Sequence, residues 1–320
     1  MRPIPPSLHD RPFTRAEALA LGVTPQMLRG ARFVRVYEGV WRLRDHVLTF
    51  DGHVQAARLA LPQDARITGI TRIQMLGLDF GPPLPLRFVV ARDLHLDLPD
   101  VFLHRTVRMP PLDGIGVTPL AAYVAYCGRA RVIDAIKVGD WLLANRHVEW
   151  SELHAFCLDQ RWRAGADEAL WILGWLDGDS WSLRESEVRA ILVFAGLPAP
   201  ESNVGAVAEH DRTRIGDLVY RKWGVDVEYE GDHHQADRAQ YLKDIDRYAS
   251  LRREAVPYVQ VTKEKLARPR VMVLEVYDAL ASRGYDGPSP EFGERWRQLF
   301  ARLSDVVAAE RRCVRVGRPR

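Results

Sequence analysis

The chain has 320 residues, of which 47% are hydrophobic and 27% are charged, a composition typical of a globular protein with two or three domains. Its 45 basic and 42 acidic side chains give a formal net charge of +3, which excludes a general electrostatic attraction to nucleic acid, so any basic surface for DNA has to be local. Three cysteines without a CxxC pair exclude a zinc knuckle and a disulfide framework, and the lack of an apolar run of about 18 residues predicts a cytoplasmic protein with no membrane partner.

Residues 1–45 predict two short helices followed by a β-hairpin. Thr14 and Glu17 have the spacing of a capping box, and Thr24 precedes a proline at the start of a second helix. Alternating apolar residues then predict a hairpin over residues 33–43. This order is typical of a helix-turn-helix with a wing. Three arginines are candidates for contacts with DNA phosphates: Arg29, Arg32 and Arg35.

Composition by itself fits equally well with a small packing unit whose arginines are solvated. The stretch from Phe13 to Leu43 resembles the winged-helix amino-terminal domain of the abortive-infection (AbiEi-type) antitoxin family, and residues 46–125 resemble the region that follows it. This resemblance implies contact with DNA and a possible toxin or defence-system partner.

Residues 46–178 predict a connecting domain that is α+β at first and then helical. Prolines mark its loops, and Thr118 followed by Pro119 starts one of its helices. The predicted helices cover residues 53–61, 119–127, 131–144, 152–160 and 166–176, and the predicted strands cover 86–90 and 101–104.

Acidic residues gather on a predicted hairpin over residues 215–230. Because strand side chains alternate between faces, Glu228 and Glu230 share one face, and pairing of the two strands can bring Asp217 beside them. Carboxylates in this number suit Mg²⁺ or Mn²⁺. A solvated polar face on an edge strand explains the same alternation.

A helix with a capping box at Ser182 and Glu185 precedes this hairpin. Glu187 lies beside its apolar stripe, so its carboxylate can point toward the sheet. The alternative is a helix-surface glutamate that pairs with a nearby arginine.

Asp217, ten intervening residues, Glu228-Tyr229-Glu230-Gly231 and the following His234 resemble the active-site hairpin of the very-short-patch-repair-like endonucleases of the PD-(D/E)xK superfamily. The resemblance extends from Ser186 to Leu266. It implies a restriction-endonuclease-like α/β/α core over residues 179–284.

The same resemblance implies that Asp217 and Glu228 bind Mg²⁺ or Mn²⁺ with help from Glu187 or Glu230. His234 matches the family position and is the candidate general acid or base, or the residue that positions water, with His233 as the alternative. One departure affects this expectation. Glu230 occupies the position at which many superfamily members carry lysine, so the group that activates water is open.

The segment after the hairpin predicts a helix over residues 236–253, a strand over 258–262 and a helix over 271–280. The polar side of the first helix offers three further candidates for phosphate contacts: Arg238, Lys243 and Arg247. Residues 285–320 predict one helix that contains Trp296 and Phe300, followed by a flexible basic tail.

These observations together predict a multidomain α/β and α+β protein that acts as a metal-dependent DNA endonuclease, a hydrolase guided to DNA by its winged helix. The alternative is an antitoxin-like transcriptional repressor whose nuclease-like domain is inactive. The predicted organisation is a winged helix (1–45), a connecting domain (46–178), a nuclease domain (179–284) and a carboxy-terminal helix with a tail (285–320).

Overall fold

A computed structural model describes residues 3–205, 215–230 and 258–316. The chain is a mixture of helices and several small sheets, as predicted, and it divides into two compact units, Met1–Tyr123 and Val124–Arg320. The predicted connecting segment 46–178 is therefore split between the two units. Among the described residues, no helix has both the length and the apolar character needed to cross a membrane.

The first unit begins with a small sheet and two short helices. The elements are β1 (Phe13–Thr14), α1 (Arg15–Ala20), α2 (Pro25–Leu28), β2 (Phe33–Tyr37) and β3 (Val40–Leu43). The strands form an antiparallel sheet in the order β1-β3-β2. The Oγ1 of Thr14 accepts the N–H of Glu17 at 3.1 Å, and that of Thr24 accepts the N–H of Met27 at 3.2 Å. Both predicted helix starts and the hairpin are confirmed.

The rest of this unit is built around a second sheet. Its elements are α3 (Phe50–Ala60), β4 (Arg66–Ile67), α4 (Gly69–Gln74), β5 (Leu86–Val90) and β6 (Val101–Arg105). The strand order is β4-β5-β6, with the first pair antiparallel and the second pair parallel. Helix α3 begins three residues before the predicted start because Thr49 caps it, accepting the N–H of Gly52 at 3.2 Å. Strand β4 and helix α4 were not predicted, because they are too short to give a periodic pattern.

Helices dominate the start of the second unit. The division between the units falls within α5 (Pro119–Cys127), after which come α6 (Val132–Ala144), α7 (Trp150–Asp159), α8 (Ala166–Ile172) and α9 (Leu183–Phe194). Ser182 caps α9 as predicted, its Oγ accepting the N–H of Glu185 at 3.1 Å. The predicted continuation of α8 is a separate 3-10 turn, Leu173–Trp175.

A four-stranded sheet packs against α9. It consists of β7 (Glu201–Gly205), β8 (Ile215–Tyr220), β9 (Val225–Tyr229) and β10 (Tyr258–Val261), in the order β10-β9-β8-β7. The pairs β7/β8 and β8/β9 are antiparallel, whereas β9/β10 is parallel. Strands β8, β9 and β10 were predicted, but β7 was not, because its sequence ESNVG is poor in strand-forming residues.

Four helices follow the sheet. They are α10 (Lys263–Leu266), α11 (Pro269–Ser282), α12 (Glu294–Phe300) and α13 (Leu303–Val316). The predicted flexible tail, which begins at Arg311, is wrong for residues 311–316, because they belong to α13, a helix that buries Leu303. Arg311 of the expected tail is ion-paired with Asp167, and Glu310 accepts the indole N–H of Trp171 at 2.7 Å.

A buried polar network joins α6 to α9. Arg189 donates to Asp140 Oδ2 at 2.8 Å and to the carbonyl of Trp175 at 2.9 Å, and the N–H of Asp177 donates to Asp140 Oδ1 at 2.7 Å. Asp140 is fully buried and Arg189 nearly so. Contacts therefore cross the predicted domain boundary at residues 178 and 179, and α9 is held to the helices that precede it.

Candidate acidic site on the central strand

The two faces of the four-stranded sheet differ in chemistry. Leu218 lies opposite Val227, and Val219 lies opposite Asp226 in the antiparallel register of β8 and β9. Opposed residues share a face. One face is hydrophobic and carries Leu218, Tyr220, Val225, Val227, Val259 and Val261, all buried. The other face carries the carboxylates of β9.

Asp226 and Glu228 are both buried within β9, at 1% and 4% exposure. Neighbouring strands pair with β9 on both sides, which closes its edges to water. Burying a carboxylate is costly unless a cation, proton or donor compensates it. The sequence analysis did not include Asp226 among the site residues, although the same alternation that singled out Glu228 places Asp226 on its face.

Gly216 makes room for the carboxylate of Asp226. A Cβ atom added at Gly216 would lie 2.5 Å from Asp226 Oδ1 and 2.8 Å from Oδ2. Glycine inside a strand often marks such a close approach. The site therefore depends on a residue without a side chain on the neighbouring strand.

Asp217 reaches across the hairpin to the backbone of β9. Its Oδ2 accepts the N–H of Tyr229 at 2.9 Å, so the carboxylate lies at the peptide that joins Glu228 to Tyr229. The N–H of Glu230 donates to the carbonyl of Val261 at 2.9 Å, and its side chain is partly exposed. The hairpin thus brings Asp217 to the backbone that carries Glu228 and Glu230.

Glu187 is paired with two cations. Its Oε2 accepts from Lys137 Nζ and from a guanidinium nitrogen of Arg184, each at 2.7 Å. Arg184 lies one turn before Glu187 on α9, which is the arginine pairing that the sequence analysis gave as the alternative. Lys137 lies on α6 and is buried, and no sequence signal identified it because 50 positions separate it from Glu187.

The described residues do not assemble the predicted metal-ligand set. Within them, no group of three or more His, Cys, Asp or Glu side chains is placed to hold a metal ion. The carboxylate oxygens on β8 and β9 are the donor type that Mg²⁺ and Mn²⁺ prefer. The donor chemistry of the hairpin therefore fits such an ion, while Glu187 is bound to Lys137 and Arg184.

Several predicted site residues lie outside the described residues. They are His234, its neighbour His233, and the three basic residues Arg238, Lys243 and Arg247 on the predicted helix 236–253.

The predicted DNA-contacting arginines differ in exposure. Arg29 follows α2 and Arg35 lies on β2, and both are exposed, whereas Arg32 is partly buried. Within the described part of the chain, neither Arg29 nor Arg35 has a carboxylate at ion-pair distance. The structure therefore presents two guanidinium groups on the surface of the amino-terminal sheet and helices.

Comparisons with known proteins give distant relatives. The chain is 27% identical over 171 residues to an uncharacterized protein of Mycobacterium tuberculosis, found in strains CDC 1551 / Oshkosh and H37Rv. The match covers 52% of this chain and 63% of each relative, so the chain spans less than two thirds of the length of the curated relatives it matches. No protein-family model matches the chain. No solved structure matches it either.

Proposed function

We propose that this protein is a metal-dependent DNA endonuclease whose reaction centre lies on the β8–β9 hairpin. The observation that carries the proposal is the pair of buried carboxylates, Asp226 and Glu228, on one face of a central strand, with the Asp217 carboxylate hydrogen-bonded to the adjacent peptide. Carboxylate oxygens gathered on one face of a strand are the hard donors that a divalent ion such as Mg²⁺ or Mn²⁺ prefers.

The proposed cofactor is Mg²⁺ or Mn²⁺, and Asp217 and Glu228 would hold it. Such an ion lowers the pKa of bound water and neutralises charge on a scissile phosphate. Glu230, which directly follows β9 and is partly exposed, would help to orient water, and His234 would move a proton near neutral pH. The N–H of Tyr229 fixes the Asp217 carboxylate, which keeps that side chain in place before DNA binds.

Glu187 has a different part in this proposal. Because Lys137 and Arg184 already neutralise the carboxylate of Glu187, this group is better suited to linking α6 to α9 than to binding a metal ion. We therefore expect Glu187 to act as a positioning residue and not as a catalytic one.

Binding of DNA is assigned to the amino-terminal elements. Two short helices followed by the β2–β3 hairpin have the order of a winged helix, and the exposed Arg29 and Arg35, with Arg32 between them, are the proposed phosphate contacts.

The alternative function is that of a DNA-binding repressor with an inactive nuclease-like unit, related to antitoxins and acting with a toxin or another defence partner. Two observations favour it. The described residues hold no three-ligand metal group, and Arg29 and Arg35 are exposed for contact with DNA whether or not cleavage follows.

The test is cleavage of supercoiled plasmid by the purified chain with Mg²⁺ or Mn²⁺. We expect Asp217→Asn and Glu228→Gln to reduce cleavage by about 100-fold or more, since even outer-shell changes at metal sites cost about 10–100-fold. Asp278→Asn removes an exposed carboxylate of α11 and is the matched control, expected to cleave normally.

The outcomes separate the two functions. Cleavage that survives both Asp217→Asn and Glu228→Gln would exclude the proposed centre. Binding to DNA without cleavage under either metal, together with loss of binding in the double variant Arg29→Ala/Arg35→Ala, would establish the repressor function instead.

A further inference from the structure

A cleft of about 400 Å³ lies within the first unit. It is bordered by the end of α3, the turn that leads into β4, strand β5 and the loop 112–116. The residues that determine its chemistry are Arg58, Arg66, Phe88, Leu112, Asp113 and Ile115. Its volume falls in the range of sites for small organic molecules, roughly 300–1,000 Å³.

The charge on the wall of this cleft is positive. Asp113 is its acidic residue, and the carboxylate is already engaged by Arg72 at 2.7 Å and by the N–H groups of Ile115 and Gly116 at 2.8 Å each. These contacts hold the pKa of Asp113 below its usual range although its partial burial acts in the opposite direction. Arg72 thus balances Asp113, and the two remaining guanidinium groups are left in excess.

Those two groups, Arg58 and Arg66, retain hydrogen-bonding capacity. One nitrogen of Arg58 donates to the carbonyl of Ile115 at 2.6 Å, and one nitrogen of Arg66 donates to the carbonyls of Gln63 and Ala65. A guanidinium has five N–H donors. Within the part of the chain that the structure describes, neither group makes a further hydrogen bond or an ion pair. The nearby Asp64 pairs with Arg92, and its pKa is lowered mainly by that pairing and also by the charge of Arg66.

The cleft also offers apolar surface. Phe88 is one of its lining residues and is buried, while Leu112 and Ile115 are each 44% exposed. Exposed apolar side chains next to unpaired cationic groups favour a ligand that has both an apolar body and an anionic group.

The loop that forms one wall is held firmly in place. The N–H of Asp113 donates to the carbonyl of Gly116 at 2.9 Å, and the N–H of Val117 donates to the carbonyl of Ile67 at 3.0 Å. Gly116 lies so close to β4 that a Cβ atom there would be 2.9 Å from the carbonyl oxygen of Ile67. A wall fixed in this way reduces the ordering cost of ligand binding.

We propose that this cleft binds a small organic anion with an apolar body, of the class of aromatic or branched carboxylates and sulfonates, and that Arg58 and Arg66 bind its anionic group. Guanidinium groups bind planar or multi-oxygen anions through two parallel hydrogen bonds. The site would give the first unit a small-molecule ligand that is independent of DNA cleavage.

The test is fluorescence titration of the full chain with 8-anilinonaphthalene-1-sulfonate, an aromatic sulfonate. We expect saturable binding of one probe molecule per chain, weakened at least tenfold in Arg58→Ala/Arg66→Ala. Arg15→Ala, which removes an exposed arginine of α1, is the matched control and should bind as the unaltered chain does. Arg58→Lys/Arg66→Lys keeps both charges and should retain part of the affinity, which guards against misfolding of the alanine variant.

Equal probe binding by the alanine variant and the unaltered chain would overturn the proposal, because it would show attraction to apolar surface only. Displacement of the probe by a short DNA duplex at a concentration equal to that of the protein would also overturn the proposal, since the cleft would then belong to a DNA-binding surface. Lack of saturable binding to the unaltered chain would have the same consequence.

Discussion

Asp140 on α6 is a carboxyl group whose ionisation is altered by its surroundings. Burial raises the pKa of its carboxyl to about 6, although the charge of Arg189, the N–H of Asp177 and a bond from Ser186 act in the opposite direction. Without Arg189, the ionised carboxylate of Asp140 would be buried and unpaired, which would destabilise the fold. The two residues therefore lie in one network.

This shift predicts how stability varies with pH. An aspartate in the unfolded chain has a pKa of about 3.9, so between about pH 4 and pH 6 the folded chain holds more protons than the unfolded chain. The contribution of Asp140 to the free energy of unfolding is therefore fully present below about pH 4 and is lost as the pH rises through about 6. Its size is on the order of 3 kcal/mol.

The measurement is urea unfolding of the unaltered chain and of Asp140→Asn from pH 4 to pH 7. We expect the stability advantage of the unaltered chain to decrease across this range, because the asparagine does not titrate. Asp278→Asn, at an exposed position on α11, should run parallel to the unaltered chain. Parallel curves for Asp140→Asn would show that Asp140 has an ordinary pKa in the fold.

At the scale of elements, α13 shows how a segment that resembles a tail becomes part of a core. Its arginine-rich end predicted flexibility, yet Leu303, Val306 and Val307 are buried. The N–H of Leu303 donates to the carbonyl of Ala130, which ties the start of the helix to the turn before α6. The free energy gained by burying this apolar face is larger than that gained by leaving the segment solvated as a flexible tail.

We expect Leu303→Ala to lower the free energy of unfolding by about 2–5 kcal/mol, because it removes a fully buried side chain and leaves a cavity. Chemical denaturation monitored by tryptophan fluorescence measures this change. Arg312→Ala alters an exposed residue of the same helix and should change stability by less than about 0.5 kcal/mol. A loss for Leu303→Ala as small as that of Arg312→Ala would indicate that α13 is not packed in solution.

At the scale of the whole molecule, the three cysteines report on how the chain is packed. Cys127 and Cys157 are buried, and Cys313 is exposed on α13. Burial, with a contribution from the charge of Asp167, raises the pKa of the Cys157 thiol to about 12. Because the thiolate is the reactive form, a buried thiol with a raised pKa reacts slowly.

We therefore expect one thiol per folded chain to react rapidly with an aromatic disulfide reagent, and all three to react in concentrated guanidinium chloride. Cys313→Ser should abolish the rapid reaction and leave the two slow ones. Raising the pH to about 9 should not make Cys157 reactive, since its raised pKa remains well above that value and the thiol stays protonated. Rapid reaction of two or three thiols in the folded chain would contradict the burial of Cys127 and Cys157.

Features that depend only on neighbouring residues can be predicted from the order of amino acids. Thr14, Thr24 and Ser182 cap helices as predicted, because a cap needs only a side-chain oxygen and an N–H two or three residues away. The hairpin that carries Asp217 and Glu228 was also predicted, because alternation with period two is written along each strand.

Features that depend on distant residues follow only from the packing of the folded chain. Glu187 pairs with Lys137, 50 positions away, and Asp140 pairs with Arg189, 49 positions away, and no local pattern specifies either pair. The burial of Asp226 depends in turn on β8 and β10 both pairing with β9, so only the assembled sheet separates its two faces. Short-range hydrogen bonds are fixed by spacing along the chain, whereas burial and ion pairing are fixed by which elements pack together.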